Sequence, residues 1–170
     1  MALLAEVRTI VRPLTEGIII PANGSGLMIY GAAAEVKKVA GDDIEYEAIE
    51  VVDQQKTPFK AGDCFKTRPY KLARRGVKWV YHAITTELPR GESDIHTVNK
   101  VLYKVFDAVA KDGLKNVAIT GLGTGVGNVD RSIVASLMVQ IGFNYSDKFT
   151  IKIVDKNKSF INEVNKFLNK

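Results

Sequence analysis

Two stretches of the chain share one design: an apolar, β-rich run enters a glycine-rich turn, and the turn opens a helix. The first reads GIIIPANGSGLMIYGAAAEVKKVAG from Gly17 to Gly41, and the second reads LKNVAITGLGTGVGNVDRSIVASLM from Leu114 to Met138. Glycine lets a backbone come close to a ligand, and the free N–H groups at the start of a helix attract anions. Each stretch is therefore suited to cradle a phosphate, and the pair to hold a diphosphate between them. Neither is a GxxxxGK-type phosphate loop. Gly121, Gly123 and Gly125 give G-x-G-x-G, but the spacing departs from a dinucleotide fingerprint by Asn128.

The order of elements sets the fold class. Strands are expected at Glu6 to Val11, Gly17 to Ile20, Asp63 to Arg68, Val77 to Ala83, Asn116 to Thr120 and Phe149 to Val154. Between Ser93 and Lys111, Ile95, Val98, Leu102, Val105, Phe106 and Val109 fall on one helical face, with Ser93 or Asp94 as the N-cap. Further helices are expected at Ala32 to Ala40, Asp43 to Gln54, Val129 to Ile141 and Ser159 to Leu168, with Gly41, Gly113 and Gly142 ending three of them. The runs GIII and VAIT are nearly all apolar, as in central strands covered on both faces. These features predict an α/β chain folded as a three-layer α/β/α sandwich with a mixed central sheet. Both glycine-rich loops follow strands and should project to the carboxyl edge of that sheet, where such folds bind ligands.

A chain of 170 residues is long enough to bury a sizeable core, and one domain over residues 1–170 is expected. Cys64 is the only cysteine, which excludes an internal disulfide and a thiolate metal cluster and fits a reducing, cytoplasmic setting. No apolar run approaches the ~18 residues of a membrane span, so no membrane partner is expected. The opening MALLAEVRTIV is interrupted by Glu6 and Arg8 too early for a signal peptide and reads as the first strand. The net charge is +5, concentrated where Lys60, Lys66, Arg68, Lys71, Arg74, Arg75 and Lys78 crowd against the single acid Asp63. That segment is either a solvated face or a surface for RNA or another polyanion.

Over nearly its whole length the chain resembles the macro domain family of ADP-ribose-binding modules and ADP-ribose-processing hydrolases. The resemblance rests on IPAN at Ile20 to Asn23 followed by GLMIYGAA, on VYHA at Val80 to Ala83, on GLGTGVG at Gly121 to Gly127, and on the closing FTIKIVDKNKSFINEVNKFL. It implies an ADP-ribose-like small-molecule ligand with no cofactor and no metal. In the family, an asparagine at the position of Asn23 contacts the distal ribose and, in hydrolases, helps position the attacking water. Asn23 is thus the candidate catalytic residue. Its alternative role is to form a turn before Gly24.

The remaining ligand-binding candidates follow from the same resemblance. Ala22, Tyr30 and Gly31 belong to the first loop. Gly121, Leu122, Gly123, Thr124, Gly125, Val126 and Gly127 belong to the second, where the helix from Val129 adds its dipole. Thr9 and Ile10 fall where the family has an aspartate that hydrogen-bonds the adenine amine, so a carboxylate is replaced by a hydroxyl. Asp155, after the last strand, is a candidate to stand in for it. Ile20 replaces the first asparagine of the family's N-x-A-N, and Ile29 and Tyr30 replace small residues of the first loop. An aromatic that often covers the distal ribose falls at Gly127.

His82, in a strand, is a candidate general base or a packed core imidazole, and the core role is favoured because no carboxylate or serine stands beside it in sequence. His96 is expected at a helix surface, Cys64 as a small strand hydrophobe, and Asp130 as a helix N-terminal acid. The resemblance leaves three functions open. One is binding of ADP-ribose or a related phosphoribosyl ligand with altered base preference. Another is hydrolysis of ADP-ribose esters or ADP-ribose-1''-phosphate. The last is a degenerate scaffold whose basic segment, Lys60 to Lys78, binds RNA or a protein.

Overall fold

The computed structural model describes residues 2–170. Six strands, β1 (Leu3–Val7), β2 (Gly17–Asn23), β3 (Cys64–Thr67), β4 (Trp79–Thr86), β5 (Asn116–Ile119) and β6 (Thr150–Asp155), form one sheet in the order β1-β6-β5-β2-β4-β3. All neighbours are parallel except β3 against β4. The reversal at β3 follows from its short link to β4, a 3-10 helix at Tyr70–Arg75 that ends on Gly76 in the left-handed region (φ 87°). The α-helices are α1 (Gly31–Ala40), α2 (Asp43–Asp53), α3 (Ile95–Asp112), α4 (Arg131–Tyr145) and α5 (Lys158–Leu168).

The period of two along the strands sorts side chains onto the two faces of the sheet. In GIII, Ile19 joins a core with α3, α4 and α5, while Ile18 and Ile20 join a second core with α1, α2 and the 3-10 helix. The same division runs through β5, with Val117 and Ile119 on the first face and Ala118 on the second, and through β6, where Ile151 and Ile153 oppose Val154. An α/β/α sandwich around a mixed sheet is therefore what the chain forms, and strands covered on both faces explain why these runs are almost continuously apolar.

The structure moves the first strand. It spans Leu3–Val7, not Glu6 to Val11, because the ladder with β6 pairs Leu3 with Ile151 and Val7 with Asp155. Beyond Arg8 the chain turns, with Arg12 N donating to Thr9 O at 3.1 Å. Local β propensity in VRTIV yields to this pairing. Gly142 also differs from expectation. α4 runs through it to Tyr145, and a Cβ there would lie 3.1 Å from Leu3 Cδ1, so Gly142 brings the helix close to β1 instead of stopping it. Gly41 and Gly113 do end α1 and α3, at φ 99° and 70°. Asp94 caps α3 by accepting from Thr97 N at 2.8 Å.

His82 is a core residue. It is 1 % exposed, stacks on Phe65 at 4.4 Å between ring centroids, and meets Thr67 Oγ1 through Nε2 at 2.9 Å. Burial pushes its pKa down to about 3. An unfolded histidine titrates near its ordinary value of about 6.5, so between those values the unfolded chain holds the extra proton. This contribution to stability is complete above pH 6.5 and is lost as pH falls toward 3, by about 1.4 kcal/mol per pH unit. Denaturant unfolding of the parent should therefore show a loss between pH 6.5 and pH 5 about 1.6 kcal/mol larger than that of a His82→Phe, Thr67→Val double variant. Parallel pH profiles would show that His82 is not held neutral.

Candidate functional site

The carboxyl ends of β1, β2, β4, β5 and β6 surround one cleft, and the loops that leave them form its walls. From the first loop it receives Ala22, Asn23, Leu27 and Tyr30, and from the start of α1 Gly31, Ala32, Ala33 and Glu35. The end of β5 and the loop after it contribute Thr120, Gly121 and Gly123 through Gly127, followed by Arg131 at the start of α4. Thr85, Thr86, Pro89 and Gly91 close one end, while Arg8, Ile10, Asp155, Lys156 and Asn157 close the other. Two of the expected site residues do not line it. Leu122 is fully buried in the core, and Thr9 lies in the turn after β1.

The second loop leaves a run of backbone donors unpaired. Gly123 N–H, Thr124 N–H, Gly125 N–H, Val126 N–H and Gly127 N–H find no acceptor within the chain among the described residues. The loop is tied from behind: Val129 N donates to Gly123 O (2.8 Å) and Ser93 N to Gly127 O (2.8 Å). Asp155 anchors its start, accepting from Thr120 Oγ1 at 2.8 Å, Gly121 N at 3.1 Å and Asn157 N at 2.8 Å. Its carboxylate thus ties the second loop to the start of α5 while still lining the cleft.

Three of the four glycines in this loop answer to the fold. At Gly121 a Cβ would lie 2.8 Å from Thr124 Oγ1, at Gly127 it would lie 2.8 Å from Gly123 O, and Gly123 itself has φ 76°. Gly127 thus admits no side chain at all, and the exposed apolar residue of the loop is its neighbour Val126. Gly125 is different. Its φ is not positive and a Cβ there would meet nothing within 4 Å, so neither backbone conformation nor packing requires glycine. What remains is room for something entering the cleft.

The first loop is largely closed on itself. Asn23, 7 % exposed, donates from Nδ2 to Leu27 O (3.0 Å) and accepts from Ser25 N (3.0 Å) and Ser25 Oγ. It forms the turn that the Asn-Gly pair suggests, while still lining the cleft. Met28 N donates to Glu45 Oε2 (2.6 Å), and Gly24 N to Thr86 O (3.0 Å). Donors left open include those of the first turn of α1, where Tyr30 takes the N-cap position with no side-chain cap. Tyr30 itself is held by the loop after β4: its hydroxyl accepts from Arg90 Nε, and the guanidinium lies 5.0 Å from the ring centre. Ile29 is exposed and does not line the cleft.

α4 begins at Arg131, not Val129, and Asp130 caps it by accepting from Ile133 N at 3.1 Å. That carboxylate already occupies the helix N-terminus, so the loop amides and Arg131, not the α4 dipole, are what an anion would meet. Arg8, Arg131 and the Lys156–Glu35 ion pair are cleft groups that motif reasoning missed. No motif marks them; they come from loop ends brought together only by the strand order.

Elsewhere, the basic segment is partly neutralised. Lys66 pairs with Asp112 (2.8 Å), Arg68 with Glu47 (2.6 Å) and Lys78 with Glu16 (3.1 Å), acids remote in sequence. Burial pushes the Cys64 thiol up to about 11, as befits a strand hydrophobe. Among the described residues no three His, Cys, Asp or Glu side chains are grouped to hold a metal ion, and no helix is long and apolar enough to cross a membrane.

A glycine-loop cleft at the carboxyl edge of a six-stranded mixed sheet between helical layers defines the class of fold. The macro domain family model matches residues 19–138, and the chain belongs to that family. An uncharacterised protein of Aquifex aeolicus strain VF5 is 36% identical over 137 residues, covering 81% of this chain and 78% of the relative. An uncharacterised protein of Aeropyrum pernix strain K1 is 31% identical over 120 residues, covering 71% of this chain and 59% of the relative. Among solved structures, a mutant Oceanobacillus iheyensis macrodomain with ADPR superimposes with a TM-score of 0.85 at 16% identity, covering 98% of this chain and 91% of that one.

Because Thr9 does not line the cleft, Thr9→Asp is expected to leave the ratio of affinities for adenine- and hypoxanthine-containing ligands within about twofold of the parent's, far short of the ~1.5–3 kcal/mol of a charge-assisted hydrogen bond. Competitive calorimetry measures this directly. A shift of tenfold toward adenine would return Thr9 to the site.

Proposed function

We propose that the cleft binds ADP-ribose or a related nucleoside diphosphate ribose. The observation that carries this is the second loop: Gly123 through Gly127 line the cleft with backbone N–H groups unpaired among the described residues, and Gly125 lacks a side chain that the fold would tolerate. A row of backbone donors in a fixed loop suits the delocalised charge of a diphosphate, with the first turn of α1 opposite and Arg131 at the rim. Family membership and the ADPR-bound structural neighbour support the ligand class. In this arrangement the base takes the end of the cleft near β1 and β6, as the family resemblance implies, and the distal ribose lies toward Asn23, Thr85 and Thr86.

The cleft is a binding site and not a hydrolytic one in this reading. Its carboxylates are engaged, Asp155 with three donors and Glu35 with Lys156, and His82 sits in the core. Asn23 uses its amide oxygen and one of its two N–H donors on the turn, and an amide is not a base, so it does not itself take a proton from water. Calorimetric titration with ADP-ribose should give saturable one-to-one binding, and incubation with ADP-ribose-1''-phosphate should release no phosphate. Absence of any saturable binding would overturn the proposal. Multiple turnovers lost in Asn23→Ala would instead favour the hydrolase.

A further inference from the structure

The chain neutralises its cations unevenly. Lys66, Arg68, Lys104 and Lys156 each meet an acid far away in the sequence, Asp112, Glu47, Asp63 and Glu35. Arg12, Lys71, Arg74, Arg75 and Lys115 pair with no acid among the described residues. Three parts of the fold bring these together. The 3-10 helix Tyr70–Arg75 supplies Lys71, Arg74 and Arg75, and the loop between β1 and β2 supplies Arg12, whose carbonyl accepts from Arg75 Nη2 at 2.7 Å. The entries to β4 and β5 continue the strip with Lys78 and Lys115 on either side of Glu16, which Lys78 Nζ meets at 3.1 Å and Lys115 N at 2.7 Å. Asp42 and Asp43 border the strip at its α2 end, across a groove from Lys71 and Arg74, without pairing with either. The cleft is elsewhere: α1 leaves it at Gly31 and ends beside this groove at Ala40, about 14 Å further on at 1.5 Å per residue.

Like charges gathered without counter-ions repel one another, so the fold gives up stability to hold these side by side. In a 3-10 helix residues three apart eclipse, which sets Lys71 and Arg74 on one side with about 6 Å of rise between them. Charge repeated along a strip, not gathered in one pocket, suits a ligand with one charge per repeat, and guanidinium groups hold phosphate through paired N–H donors. Tyr70, the aromatic residue of this helix, is already engaged: its hydroxyl donates to Glu47 Oε1 at 3.0 Å, and the Arg68 guanidinium lies 5.4 Å from its ring centre. The helix therefore offers no free ring on which a base could stack, and contact falls to the phosphates. We propose that this strip binds the phosphate backbone of a nucleic acid, without selecting bases, at a surface separate from the cleft.

The test is fluorescence anisotropy with labelled RNA and DNA of about 20 nucleotides, single-stranded and duplex, each in two unrelated sequences, between about 50 and 200 mM salt. With about four phosphates neutralised, affinity should fall about 50-fold or more over that range, and alike for both sequences. The double variant Lys71→Glu, Arg74→Glu should weaken binding at the lower salt by about tenfold or more and flatten the salt dependence. Both residues are exposed, and circular dichroism establishes that the variant keeps the fold. The same change of charge made as Lys56→Glu, Lys60→Glu, in the segment between α2 and β3, should weaken binding by less than about threefold. Tighter binding of either RNA or DNA supports the inference and names the strand. Equal losses in the two double variants would overturn it, because net charge and not this strip would then attract the strand. Displacement of the strand by excess ADP-ribose would place it in the cleft and overturn it also. Poly-glutamate bound as tightly as the nucleic acids would make the partner an acidic protein segment, with the same result. So would the absence of binding at the lower salt, or binding that ignores salt.

Discussion

Gly125→Val is expected to weaken ADP-ribose binding by more than 100-fold while leaving the thermal midpoint within about 2 °C of the parent's. The two halves of that statement come from one geometry. A Cβ at Gly125 meets nothing within 4 Å and the backbone there is not in the left-handed region, so valine is tolerated by the folded chain. The open space it enters is the cleft itself, lined by the loop amides that the diphosphate would use. Branched carbon placed there holds the phosphate oxygens away from their donors, and each unmade charge-assisted hydrogen bond costs about 1.5–3 kcal/mol. Gly127→Ala is the matching control. Its Cβ would lie 2.8 Å from Gly123 O and 3.0 Å from Gly123 Cα, backbone atoms that cannot yield without moving the loop. That variant should lose several degrees of thermal stability as well as binding. Retained affinity in a folded Gly125→Val protein would refute the diphosphate assignment.

The contrast between these glycines also marks what a sequence can and cannot disclose. Four glycines in seven positions announce a loop with a special backbone, and the apolar runs before both loops announce central strands. Which glycine serves the fold and which serves a ligand depends on neighbours such as Ser93, Val98 and Asp155, which lie far away along the chain. The period of two in GIII was enough to place Ile19 on one face and Ile18 and Ile20 on the other. At β1 the pattern was ambiguous because an edge strand leaves residues such as Leu4 and Val7 half exposed, and only the pairing with β6 fixes its bounds. That shift of a few residues carried Thr9 out of the cleft and Arg8 into it. Arg8, Thr85, Thr86 and Arg131 carry no motif; the crossing of the chain from β1 past β6 and β5 to β2 brings them together.

Asp155→Ala should destabilise the protein by about 3 kcal/mol and remove ligand binding with it, an effect expected to lower the thermal midpoint by roughly 6–12 °C for a chain of this size. The carboxylate joins three donors from two segments: Thr120 Oγ1 and Gly121 N at the start of the second loop, and Asn157 N at the start of α5. Thr120 and Gly121 are buried, so removing the acceptor leaves a hydroxyl and an amide unpaired where water reaches them poorly. The loop that presents the phosphate donors then loses its anchor at one end while Ser93 and Val129 still hold the other. Asp155→Asn separates this role from direct contact with a base. Asparagine keeps one accepting oxygen but turns an NH2 group toward either Gly121 N, with the Thr120 hydroxyl beside it, or Asn157 N, and each of these backbone groups can only donate. An intermediate loss of stability, with the preference among bases unchanged, is the expected result. An Asp155→Asn protein as stable as the parent but altered only in base preference would show that the carboxylate reads the ligand and does not tie the loop.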